Sequence, residues 1–84
     1  MATARLKVLS RSYCHLCDDM IAALKAFQGR NQVEFDIEVI DVDADAELES
    51  KYGDKVPVLL HGENEICHYF LDGTKLAEQL LKTA

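Results

Sequence analysis

Apolar and polar residues change their spacing several times along the chain, and each change marks an element. Leu6, Val8 and Leu9 form a short apolar run that ends in the polar Ser10-Arg11-Ser12, the pattern of a buried strand. From Leu16 the period lengthens. Leu16, Met20, Leu24 and Phe27 fall on one stripe with Ile21 beside it, which predicts a helix, and Gly29 suits its C-terminus, where a left-handed residue is favoured. Between residues 34 and 43 the alternation is strict, with Phe35, Ile37 and Val39 on one side and Glu34, Asp36 and Glu38 on the other. That predicts a strand with one buried face and one wet face, at a sheet edge. Residues 45–52 predict a weaker helix ending at Gly53, and residues 56–60 a second apolar strand. His61-Gly62-Glu63-Asn64 reads as a turn and residues 65–69 as a returning strand, so this half is a hairpin. Asp72 or Thr74 can cap a last helix with Leu76, Leu80 and Leu81 on its inner face.

The resulting order is β-α-β-α-β-β-α. A strand–helix–strand unit with a right-handed crossover gives parallel strands, and the hairpin adds antiparallel ones. The expected fold class is α/β, one mixed four-stranded sheet with helices packed on both faces. With 84 residues there is room for a single domain spanning residues 1–84. A hydrophobic share of 49% and only four Gly and one Pro argue against disorder. The formal net charge of -6 speaks against a nucleic-acid partner, because phosphate binding needs a basic footprint. Eight of the fifteen acids lie between Glu34 and Glu49 with no Lys or Arg among them, which fits a solvated edge and helix face, or a surface selecting a basic partner.

The cysteines supply the chemistry. Three is an odd number, whereas a small secreted disulfide scaffold normally carries an even set. The N-terminus has no apolar stretch of signal-peptide length, and no run approaches the ~20 apolar residues of a membrane span. A cytoplasmic, reducing location without a membrane partner is the expectation, and there a Cys-x-x-Cys pair serves as chemistry or as a metal clip. Cys14-His15-Leu16-Cys17 falls where the first strand ends and the first helix begins. A thiol at a helix N-terminus faces unpaired backbone N–H groups and the positive end of the helix dipole, both of which favour the thiolate, the species that attacks a disulfide. Cys14 is expected at the exposed cap and Cys17 one turn further in. Cys14 then attacks a target disulfide, and Cys17 resolves the mixed disulfide. Arg11 and His15 can add positive charge nearby, His15 as an electrostatic tuner. The same spacing also serves zinc and iron–sulfur sites, so a metal or iron–sulfur carrier using these cysteines is the alternative. A third reading is an interaction domain that keeps the fold without turnover.

The single proline, in Val56-Pro57, stands at the start of the third strand. Proline lacks a ladder donor and belongs at a strand's first residue or on an edge. A cis Val56-Pro57 bond beside the cysteines is the sharper expectation, turning the Val56 backbone outward to pair with an extended substrate.

Ser10-Arg11-Ser12-Tyr13-Cys14-His15-Leu16-Cys17, with Lys55-Val56-Pro57-Val58-Leu59, resembles the glutaredoxins and the wider thioredoxin superfamily, and more narrowly the short glutaredoxin-like proteins of bacteria. The resemblance implies a thioredoxin fold, a cis proline, Cys14 as nucleophile and Cys17 as resolving cysteine. It also puts Arg11 where glutaredoxins have a basic residue that helps hold the thiolate and a glutathione carboxylate. His15-Leu16 replaces the Pro-Tyr of the common glutaredoxin motif, and Tyr69-Phe70-Leu71-Asp72-Gly73 stands where a Gly-Gly-x-Asp-Asp segment binds the γ-glutamyl end of glutathione. The expected activity is that of a monomeric thiol–disulfide oxidoreductase acting on a disulfide-containing protein or a glutathione mixed disulfide. No tightly bound cofactor or metal is expected, and glutathione is allowed as co-substrate. Tyr13, Val56 and Pro57 join Arg11 as expected substrate-binding residues, although Tyr13 fits equally as a residue covering the core. Cys67 reads as a small core residue, with an extra redox thiol or a metal ligand as the other readings, and His61 as a solvent-facing turn residue. Cys67 and His68, adjacent on one strand, point to opposite faces and do not serve one metal together.

Overall fold

The computed structural model describes residues 4–82, and side chains from residue 4 to residue 80. The ends of the expected 1–84 domain, and the side chain expected at Leu81, lie outside the described residues. The elements follow the expected order: β1 (Ala4–Ser10), α1 (His15–Asn31), β2 (Phe35–Asp41), a short 3-10 turn (Val42–Ala44), α2 (Ala46–Tyr52), β3 (Val58–His61), β4 (Asn64–His68) and α3 (Gly73–Lys82). The four strands form one sheet in the order β2-β1-β3-β4. β1 runs parallel to β2 in a register from Ala4↔Phe35 to Ser10↔Asp41, and antiparallel to β3, which pairs antiparallel with β4. No helix among the described residues is long and apolar enough to cross a membrane.

Period-two alternation in the central strands sends side chains to two cores. Leu6 and Val8 of β1 and Leu59 of β3 pack with Met20, Leu24 and Phe27 of α1 and Leu76 of α3. Leu9, Val58 and Leu60 point the other way and pack with Val42 and Tyr52. The sheet is thus covered on both faces, by α1 and α3 on one side and by α2 on the other. Asp72 caps α3, its carboxylate accepting from Lys75 N–H at 3.1 Å, so Thr74 is not the cap.

Several sequence expectations need correction. Gly29 does not end α1. The helix continues to Asn31 and closes at Gln32, which takes the left-handed conformation at φ 52°. The buried stripe of α1 starts at Cys17, with Leu16 only half-buried. β2 is an edge strand, but its alternation does not hold one wet face: Val39 is 53% exposed, while Ile40 packs on the second core beside the buried Val42. α2 covers that face where β2 ends. Val56 and Pro57 precede β3, and the hairpin turn is tighter than expected, because His61 and Asn64 are paired strand residues. His61 is half-buried, with Nδ1 3.3 Å from Gln79 Oε1, and is no free turn residue. Finally, the β3–β4 register shifts between Leu59 and Leu60, and both Ile66 and Cys67 join the first core. A bulge lets neighbours break strict alternation in this way.

Candidate active site

β1 ends at Ser10, and residues 11–14 turn the chain into α1. Cys14 is the N-cap, extended at φ -104° and ψ 104°, and its Sγ accepts the Cys17 N–H at 3.1 Å. Its carbonyl accepts from Asp18 N–H at 3.3 Å, which starts the helical ladder. Cap residues are usually Ser, Thr, Asp or Asn because a side-chain acceptor satisfies an orphan N–H, and here sulfur takes that position. An N–H aimed at sulfur favours the anion over the thiol. Cys14 and Cys17 are joined as a disulfide, with their Cα atoms 5.3 Å apart. The two sulfurs differ in access: Cys14 is half-buried, whereas Cys17 is 1% exposed and belongs to the inner stripe of α1. An incoming group reaches Cys14 first, and Cys17 is held one turn behind it.

The register brings the second motif to the same place. Leu9 pairs with Val58, so Pro57 stands at the sheet end where β1 delivers the Cys14 loop. The Val56-Pro57 bond is cis, Pro57 is buried, and its carbonyl accepts from Tyr69 N–H at 2.8 Å. Tyr69 also donates its hydroxyl to the Asp54 carbonyl at 2.8 Å, fastening the segment after β4 to the one before Pro57.

Tyr13 does not cover the core. It is fully exposed at 103% and has a left-handed backbone with φ 60°. Tyr69 is left-handed as well, at φ 66°. Side chains with a Cβ adopt that region at a cost of about 1 kcal/mol or more and keep it where surrounding structure demands it. Phe70, 67% exposed, follows at the same end of the sheet. His15, the first residue of α1, is exposed.

Arg11 has contacts that its position in the sequence does not suggest. Its guanidinium donates to Asp43, Glu49 and the Gly53 carbonyl, all at 3.2 to 3.3 Å, and the hydrogen bond to Asp43 is the main influence holding it protonated above its ordinary value. The acidic stretch carries other local duties too. Asp41 accepts from Asp43 N–H at 2.9 Å, and Asp45 caps α2 by accepting from Glu47 N–H at 2.9 Å. Asp43, Glu49 and Gly53 are the residues that sequence reasoning missed at this site. They were visible only as part of an acidic run and a helix end.

Cys67 is free and buried in the first core, where burial pushes its thiol up. Among the described residues no three His, Cys, Asp or Glu side chains converge to hold a metal ion.

Known proteins share the family and the fold of this chain. The sequence matches the glutaredoxin-like domain family (DUF836) over residues 5–81. No functionally curated protein matches the chain. Among solved structures, protein Ne2328 from Nitrosomonas europaea is 38% identical, with 94% of this chain and 93% of that one covered and a TM-score of 0.79. Protein XcR50 from X. campestris is 32% identical over 94% of this chain and 97% of its own, with a TM-score of 0.70. Thioredoxin 1 from Thermosipho africanus, 19% identical with a TM-score of 0.57 over 94% of this chain and 97% of its own, shares the fold. The family match runs from β1 to α3 across the thioredoxin fold, and the chain belongs to the glutaredoxin-like domain family.

Proposed function

We propose that the protein is a thiol–disulfide oxidoreductase in which Cys14 is the nucleophile and Cys17 the resolving thiol. The observation that carries this reading is the pairing of an accessible Cys14 sulfur on the α1 cap with a shielded Cys17 at disulfide distance. In the reduced protein the Cys14 thiolate attacks one sulfur of a target disulfide. A Cys14–target S–S bond forms, the target S–S bond breaks, and the departing thiolate takes a proton from solvent. Cys17, deprotonated, then attacks Cys14 Sγ and expels the second target thiolate. Two electrons have passed to the target, and the Cys14–Cys17 disulfide remains until a small thiol such as glutathione reduces it. Substrates are protein disulfides or glutathione mixed disulfides, in a reducing cytoplasm, with the protein acting as a monomer. In this reading Tyr13 and Val56 contact the substrate segment, with the buried Pro57 behind Val56. His15, the first residue of α1, adjoins Cys14 as an electrostatic tuner.

Mass spectrometry after equilibration in glutathione buffers of graded potential tests the reading. Reversible closure of Cys14–Cys17, with Cys67 left free, is the expected result. Cys14→Ser abolishes exchange, and Cys17→Ser accumulates a mixed disulfide on Cys14. Exchange persisting in Cys14→Ser rejects the proposal.

A further inference from the structure

Arg11 lies three residues before Cys14, where a free positive charge would draw an anionic substrate or balance a thiolate. Its surroundings give it another task. A guanidinium is a planar fork with five N–H donors, and all three nitrogens of this one donate, to three separate groups. Nε donates to Asp43 Oδ1 at 3.2 Å and Oδ2 at 3.3 Å. One terminal nitrogen donates to Glu49 Oε1 at 3.2 Å and lies 3.0 Å from Asp43 Oδ1. The other donates to the Gly53 carbonyl at 3.2 Å. Two carboxylates face one guanidinium, so no excess positive charge is left to offer.

Gly53 is shaped for this approach. A Cβ there would stand 3.1 Å from an Arg11 nitrogen and 2.5 Å from the Glu49 carbonyl oxygen, so a larger residue would shift the end of α2. The connection also has a direction through the chain. Arg11 is three residues ahead of Cys14, and Gly53 is three residues ahead of Val56. The bridge therefore joins the loop that carries the nucleophile to the loop that carries the cis proline.

We infer that Arg11 is a positioning residue: held by Asp43, Glu49 and the Gly53 carbonyl, it braces the Cys14 loop against the Val56–Pro57 loop and is not a charge presented to substrate. The inference rests on the dithiol activity proposed above. It needs the fork and not merely the charge, because an ammonium is a single point that does not span three acceptors in one plane. Exposed ion pairs add little to global stability, so the variants remain folded and their effect falls on the site.

The test uses the full chain with Arg11→Lys, Arg11→Gln and the double variant Asp43→Asn/Glu49→Gln. Each is assayed for kcat and KM on a neutral peptide disulfide and on glutathione disulfide, which is anionic. Loss of the brace lowers kcat/KM by about tenfold on both substrates alike in all three variants, since small displacements of reacting groups are costly. Amide hydrogen exchange at Cys17, Asp18, Gly53 and Lys55 speeds up, while Leu24 and Phe27 in α1 keep wild-type rates. Wild-type kinetics in Arg11→Lys, with a raised KM for glutathione disulfide alone in Arg11→Gln, would overturn the inference and make Arg11 a substrate cation. Wild-type turnover and exchange in all three variants would overturn it too. If the wild-type protein turns over neither disulfide, the dithiol reading itself has failed, and the exchange rates still decide whether the brace exists.

Discussion

Three cysteines occupy three environments, and each environment decides what its sulfur does. Cys14 accepts a backbone N–H at a helix cap and is within reach of solvent, Cys17 sits behind it on the buried stripe, and Cys67 is enclosed among core side chains. The first two were legible from spacing alone, because a cap and the next turn lie within four residues of each other. The shielding of Cys67 follows from its strand, although the bulge that places Ile66 in the same core has no signal in the alternation. Burial is the largest cause of the raised Cys67 thiol, and this links stability to pH. Below the ordinary thiol value of 9.0 the folded and unfolded chains both keep the proton, and this group adds no pH dependence. Above it the unfolded chain loses the proton first, so stability falls until the folded protein's own higher value is passed. Urea unfolding from neutral to alkaline pH is expected to show a steeper alkaline loss in the wild type than in Cys67→Ala. Equal slopes would place the Cys67 thiol in a wetter setting than the core described above.

At the scale of elements, the central strands and α1 announce themselves through their periods, while their ends are set by neighbours. Gly29 was a reasonable stop for α1 on propensity, yet the helix runs on to Asn31. Gln28 donates its side-chain amide to the Phe35 carbonyl at 2.8 Å, tying the last turn to the start of β2. Gly29 is thus a helix-interior glycine, and a Cβ there would meet nothing within 4 Å. Gly29→Ala is expected to raise unfolding stability by about 1 kcal/mol, through the lower backbone entropy of alanine in the unfolded chain, as measured by urea denaturation. A destabilised variant would show that α1 ends earlier than residue 31. β2 teaches the complementary lesson. Its alternation predicts one wet face, but Ile40 and Val42 are covered by α2, an element whose placement depends on how the chain crosses the sheet.

At the scale of the molecule, the strand order 2-1-3-4 gathers the Cys14 loop, Pro57 and Tyr69 at one end of the sheet and brings Arg11 to the acidic stretch. Eight acids between Glu34 and Glu49 in a chain of net charge -6 repel one another, and Arg11 sets one positive charge against two of them. Raising salt from about 10 mM to about 150 mM shortens the screening length from roughly 30 Å to roughly 8 Å. The midpoint of thermal unfolding is therefore expected to rise over that range. A falling midpoint would mean that the ion pairs of Arg11 outweigh the repulsion. The element order, the α/β class, the two-sided burial of the central strands and the cysteine pair at the first helix cap are all legible in the chain's own pattern. Each of these depends on residues a few positions apart, where period and spacing carry the information. Tertiary structure alone decided the partners of Arg11, which lie 32, 38 and 42 residues away, the left-handed exposure of Tyr13, and the cover on the second face of β2. Such contacts arise from strand register and the path of the crossovers, and these bring distant residues together without leaving a pattern in the spacing of either segment.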